Sequence, residues 1–159
     1  MQVSTRHHLR ADEIASLEDI IETQTGVDLD GDTYEYVEIN DTPYDVILID
    51  GEPDIVEFDA GSSLTVQGAN RHDPTHSVVT VDAGAISFVS DGADIMRPGI
   101  VEVDTEIATD DIVLIAEETH HKILAVGRAL VDGREMRGDQ GKVIESIHHV
   151  GDELFEFSI

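Results

Sequence analysis

The sequence predicts an α+β chain in two parts, a small N-terminal α/β unit over residues 1–76 and a C-terminal β pseudo-barrel with a short helix over residues 77–159. Three observations carry that prediction. Short apolar runs such as Ile112–Ala116 and Ile123–Gly127 recur between glycine-rich turns, one segment near the N-terminus keeps helical spacing, and a polar stretch broken by Pro74 separates the two patterns.

From the N-terminus, Val3–Leu9 alternates well enough for a strand. Residues Ala11–Thr25 then place Ile14, Leu17, Ile20 and Ile21 on one helical face, with Asp12 and Glu13 suited to the positive end of the helix and Gly26 as its stop. Strands follow in TYEYVEI from Thr33 and DVILI from Asp45. Asp50-Gly51 is a two-residue hairpin signal, with IVEF from Ile55 returning. The stretch Gly68–His76 reads as the junction. Beyond it, Asp82 caps a short helix running to Ser90, with Ile86 and Val89 facing inward and Gly92 just past its end. Strands near Ile100, Ile112, Ile123, Val143 and Leu154 complete a closed or nearly closed barrel.

Composition bounds the rest. A chain of 159 residues is one ordinary domain or two small ones. Aromatic residues make up only 4%, so the core rests on Val, Ile, Leu and Ala. The 35 Asp and Glu against 9 Lys and Arg give a net charge of −26. Disorder is one source of such a charge, but the ordered apolar runs argue for folded strands. The other is life in molar salt, where the Debye length shrinks to about 3 Å and neighbouring carboxylates repel little. Acids scattered through every segment, and only two lysines, favour a salt-adapted, archaeal-type cytoplasmic protein. An acidic chain ordinarily argues against nucleic acid, but here the charge reports on the solvent. Two thirds of the basic residues lie beyond residue 76, and Arg97, Arg128, Arg134 and Arg137 are the ones expected to matter.

There is no Cys, which excludes disulfides, thiolate nucleophiles and Cys-based zinc sites. No run approaches the roughly 18 apolar residues of a membrane span, and no export signal opens the chain. The pairs His7-His8, His120-His121 and His148-His149 suggest metal, yet adjacent strand residues point to opposite faces, so no metal or other cofactor is expected. Asp28, Asp30 and Asp32 imitate a calcium loop, but Gly31 stands at its fourth position rather than the sixth, and the twelfth is Ile39 rather than Glu. Residues Gly138–Lys142 lack P-loop spacing, and no catalytic motif supports an enzyme.

The string VDAGAISFVSDGADIMRPGI, Val81–Ile100, resembles the opening of a PUA domain, the RNA-binding module of pseudouridine synthases and archaeosine transglycosylases. The likeness runs through DDIVLIAEETHHKILAVGRALV to GKVIESIHHVGDELFEF. That last stretch is similar to the malignant T-cell-amplified sequence family of translation, whose pattern is close to G-x-G-I-E-x-I-H-Y-L-x-D-x-L, with Lys142-Val143 and His149-Val150 as departures. A weaker likeness extends upstream through DVILIDGEPDIVEF to the N-terminal domain of that family and its single-chain archaeal relatives. The resemblance implies RNA-binding residues Gly84, Ala85, Gly92, Ala93, Met96, Arg97, Pro98, Gly99, Arg128 and His148. It implies rRNA or tRNA as ligand, with the small ribosomal subunit, the tRNA acceptor end and another translation factor as partners. Physically, glycines let backbone approach a ligand and Met96 offers an adaptable apolar surface. The plainer interpretation is that Gly and Pro only shape a barrel turn while Met96 fills the core. Two other functions stand beside RNA binding in translation: an accessory domain for RNA modification working with a separate enzyme, and a protein-interaction module.

Overall fold

The computed structural model describes residues 1–159. Strands β1 (Val3–His8), β2 (Tyr34–Ile39), β3 (Asp45–Ile49), β4 (Glu52–Phe58) and β5 (Gly61–Leu64) form an antiparallel meander in sequence order. Helix α1 (Ala11–Thr25) packs on it. Leu17, Ile21 and Thr25 are its buried stripe, whereas Ile20, expected on that face, is 46% exposed because it lies a further step around the helix. Gly26 takes the left-handed conformation that ends α1 (φ 77°). The Asp50-Gly51 turn has positive φ at both residues, 50° and 85°, which matches the twist of a tight hairpin.

Helix α2 (Val66–His72) occupies much of the stretch expected to be an irregular junction. Thr65 caps it by accepting from Gly68 N at 2.9 Å. Gly68 is obligatory there, since a Cβ would sit 2.3 Å from the carbonyl oxygen of Asp54 on β4. A seven-residue helix with a central glycine has little intrinsic stability, so packing decides it.

The second sheet has the order β7-β11-β10-β9-β6-β8, from β6 (Val78–Val81), β7 (Ile95–Met96), β8 (Ile100–Val103), β9 (Ile112–Glu117), β10 (Ile123–Ala129) and β11 (Lys142–His149). All its pairings are antiparallel except β6 with β9. It curls into a nearly closed barrel, onto whose core α3 (Ile86–Ser90) packs Val89 and Ile86. Leu154, expected in a last strand, instead lies in α4 (Glu153–Glu156), whose N-terminus is capped by the Asp152 carboxylate accepting from Phe155 N at 2.9 Å.

β9 is buried on both faces. Its Val113 and Ile115 point into the barrel with Val79, Ile100 and Ile144. Its Ile112, Leu114 and Ala116, with Ile123 and Val126 of β10, join Leu17, Ile21, Ile55 and Leu64 in a core shared by the two sheets. Leu154 packs on the opposite face of the first sheet, with Val37, Val46 and Val56. Polar links reinforce the shared core: the Asn70 side chain accepts from Ile123 N (2.8 Å) and donates to Ile123 O (3.0 Å). No helix is long and apolar enough to cross a membrane.

Five of the nine basic side chains reach a carboxylate, so most of the 35 acidic groups have no cation beside them. The melting temperature is therefore expected to fall as KCl drops from molar to about 0.1 M, where the Debye length reaches ~10 Å. A thermal melt series in KCl reads this directly, and a flat series refutes the salt-adapted reading.

One local site predicts a pH effect. Asp45 and Glu57 stand directly opposite on β3 and β4. Burial raises the Glu57 carboxyl pKa, the bonded Ser62 hydroxyl opposes this, and Asp45 raises it further. Because the folded pKa is raised, the penalty for ionising Glu57 is absent in acid and grows as pH rises through that pKa. Glu57→Gln is expected to stabilise the fold at neutral pH by about 0.2–1 kcal/mol, with the gain shrinking below pH ~4, as read from denaturant midpoints at both pH values.

Candidate nucleic-acid interface

The segment Val81–Ile100 builds a groove of about 380 Å³ on the barrel. A 3₁₀ turn (Ala83–Ala85) leads into α3 and forms one wall, and β7 with the 3₁₀ turn Arg97–Gly99 forms the other. Gly92 at φ 92° reverses the chain between them, held against the His149 ring, which a Cβ there would strike at 2.7 Å. Of the residues singled out in the sequence, Gly84, Ala85, Ala93, Met96, Pro98 and Gly99 line the groove. Met96 is 49% exposed, so it does not fill the core. Gly84 and Gly99 have no positive φ, and a Cβ at either meets its nearest neighbour at 3.3 or 3.4 Å, so the fold does not strictly require glycine there.

Phe88 also lines the groove and is the most exposed large apolar side chain in the molecule, at 66%. The sequence reading passed over it. The signal was present, because a helix that turns Ile86 and Val89 inward sends the two residues between them, Ser87 and Phe88, outward.

Other sequence-singled residues do not open into the groove, each for a physical reason. Arg97 turns away: its Nε donates to Glu135 O at 2.8 Å and its Nη1 to Gln140 O at 3.1 Å. Arg128, on β10, pairs with Asp110 and approaches Glu145 at 3.8 Å. His148 is 1% exposed and spends both ring nitrogens in the seam between the sheets. Its Nε2 accepts from Val66 N at 3.0 Å, which leaves Nδ1 to carry the proton and donate to Asp152 at 2.9 Å. Burial raises the Asp152 carboxyl pKa, but the His148 bond and the N–H groups of His149 and Phe155 outweigh it and hold it below the usual range. The first N–H groups of the 3₁₀ turn are also occupied. Ala83 N donates to Glu118 Oε1 (3.0 Å) and Ala85 N to Asp82 Oδ1 (3.1 Å).

The groove thus offers an apolar floor with two acids at its edge. Asp82 is engaged with the 3₁₀ turn, and Asp94 accepts from Ser146 N at 2.9 Å and from Lys142 Nζ at 3.3 Å. Such a surface suits an uncharged planar group and repels a phosphate. The remaining histidines bring no metal set together: among His, Asp and Glu, no three side chains converge on a common point.

The PUA domain model matches residues 77–151. An uncharacterized protein of Methanocaldococcus jannaschii is 40% identical over 115 residues, covering 72% of this chain and 71% of that one. Translation machinery-associated protein 20 of Saccharomyces cerevisiae is 36% identical over 91 residues, and the match spans 50% of its length. Among solved structures, a hypothetical protein of Pyrococcus horikoshii superposes with a TM-score of 0.87 at 25% identity, over 98% of this chain and all of that one. A conserved PUA domain protein of Thermoplasma acidophilum does so at 0.82 and 27%, over 96% and 98%. With the barrel, the groove on Val81–Ile100 and these likenesses in agreement, the chain belongs to the PUA-domain proteins, in the family whose relatives include translation machinery-associated protein 20 and the malignant T-cell-amplified sequence proteins.

Proposed function

We propose that this protein binds RNA through the Val81–Ile100 groove and works in translation, at the small ribosomal subunit and the acceptor end of tRNA. The observation that carries the reading is the exposed Phe88 beside Met96 on an apolar groove floor, in a chain with only 4% aromatic residues. An exposed ring costs solubility, and stacking on an unpaired base is the use that repays it. The translation role is supported by the names of the relatives, of which the fungal and vertebrate ones are matched over about half their length. The residues proposed to meet RNA in the groove are Gly84, Ala85, Ala93, Met96, Pro98 and Gly99 together with Phe88. Residues 77–159 form the proposed RNA-binding part and residues 1–76 the supporting one.

Sedimentation of the protein with ribosomal subunits in molar KCl tests the translation role. Co-migration with the small subunit, lost on adding excess tRNA acceptor-stem mimic, is the expected result. Binding to a modification substrate RNA without any subunit association favours the accessory role instead.

A further inference from the structure

The four basic side chains with no carboxylate partner are Arg97, Lys122, Arg134 and Arg137. Three of them belong to one place. The stretch Asp132–Lys142 carries three acids and three bases, a neutral island in a chain of net charge −26. It is fixed from two sides. Met136 is fully buried in the barrel core, and Arg97 holds the other side from within.

Arg97 N donates to Gly141 O at 2.9 Å, while its guanidinium donates to Glu135 O and Gln140 O. Gly138 and Gly141 close around that side chain, such that a Cβ would lie 3.0 Å from its Cδ and 2.8 Å from its Nη1 respectively. The guanidinium therefore serves as an internal strut, with its Nε and Nη1 both bonded to carbonyls of the loop. Arg134 and Arg137 stay exposed on the loop it supports. Lys142 stands opposite Met96 in the β7–β11 pairing, which sets this loop beside the lip of the groove.

We propose that the loop Asp132–Lys142 is a phosphate-binding arm, in which Arg134 and Arg137 donate to the sugar–phosphate backbone of a strand whose base lies in the groove, and that Arg97 is the positioning residue that holds the arm. This rests on the RNA reading above and deepens it by dividing the labour. The floor, with Asp82 and Asp94 at its edge, takes the uncharged base, and the arm takes the anionic backbone that the floor repels. In a chain this rich in carboxylates, two exposed cations three residues apart on one loop, neither within salt-bridge distance of a carboxylate, are available to a ligand's oxygens.

The test measures affinity of the full chain for a short single-stranded RNA oligomer by fluorescence anisotropy across a KCl series, with amide exchange as a second readout. Arg134→Ala and Arg137→Ala are each expected to weaken binding several-fold, equally for all base sequences, and to reduce the slope of log affinity against log salt by about 0.7. Arg97→Ala is expected to lower affinity and slope as the double variant does and also to speed exchange over residues 133–141. Arg97→Lys should leave exchange fast, because an ammonium cannot bridge the two carbonyls as the planar fork does. Arg6→Ala, on β1 and paired with Glu35, is the control. A double Arg134→Ala, Arg137→Ala variant that keeps parental affinity and slope, while Phe88→Ala loses binding, overturns the arm and leaves the groove standing. Weakened binding by Arg97→Ala with exchange unchanged shows direct contact and overturns its positioning role. Failure of the parent chain to bind any RNA overturns both readings.

Discussion

A fragment of residues 77–159 is expected to lose its fold or aggregate, although its sequence encloses the whole barrel. The reason is the shared core: Ile112, Leu114, Ile123 and Val126 lie on the barrel's outer surface, yet they are buried, under the first sheet and helices α1 and α2. Uncovering four large aliphatic side chains costs about 6–12 kcal/mol at roughly 1.5–3 kcal/mol each. That equals the whole stability of an ordinary domain, about 5–15 kcal/mol. The cut also orphans His148 Nε2, which loses Val66 N, and the Ile123 backbone groups that Asn70 satisfies. Circular dichroism and gel filtration in molar KCl decide it. The full chain should melt in one transition, and a soluble fragment with a melting temperature near that of the full chain would show that the two parts stand independently.

Phe88→Ala should reduce affinity for single-stranded RNA by about 1–3 kcal/mol, the worth of one base stacked on an aromatic ring. Stacking involves no counterion release, so the salt slope should not change, in contrast to the arginine variants. A ring already two-thirds exposed packs little against the core, so stability should change by less than about 0.5 kcal/mol. Phe88→Tyr preserves the ring face and should bind like the parent. Anisotropy titrations at two salt concentrations, beside a thermal melt of each variant, provide the measurement. Parental affinity in a folded Phe88→Ala protein, across homopolymer RNAs of all four bases, removes the stacking platform from the proposed mechanism.

Much of the fold was legible in the sequence, because local signals sufficed for it. The spacing in Ala11–Thr25, the left-handed stop at Gly26, the Asp50-Gly51 hairpin and the Asp82 cap each concern residues within a turn or two of one another, and each is present. The resemblance carried by Val81–Ile100 and Gly141–Phe157 led to the family for the same reason: it is written in contiguous residues. Six of the ten residues it implied come together in one groove because they lie on a single stretch of chain.

Tertiary structure decided what depends on distant partners. Helix α2 exists because Gly68 lets it lie on Asp54, and Leu154 is helical because α4 folds back onto the first sheet. The continuous apolar run of β9 is what burial on both faces requires, but it cannot say that the first sheet and its helices cover the outer one. The resemblance implied Arg97 and His148 as RNA-binding residues. Which donors and acceptors they meet was set by chain 38 and 82 residues away, at Glu135 and Val66. A polar side chain's role is fixed by whether its hydrogen-bonding capacity is spent inside the fold, and only the assembled neighbours determine that. Phe88 shows the converse: its exposure follows from local helical phase, but its significance required the groove that β7 and Pro98 build opposite it.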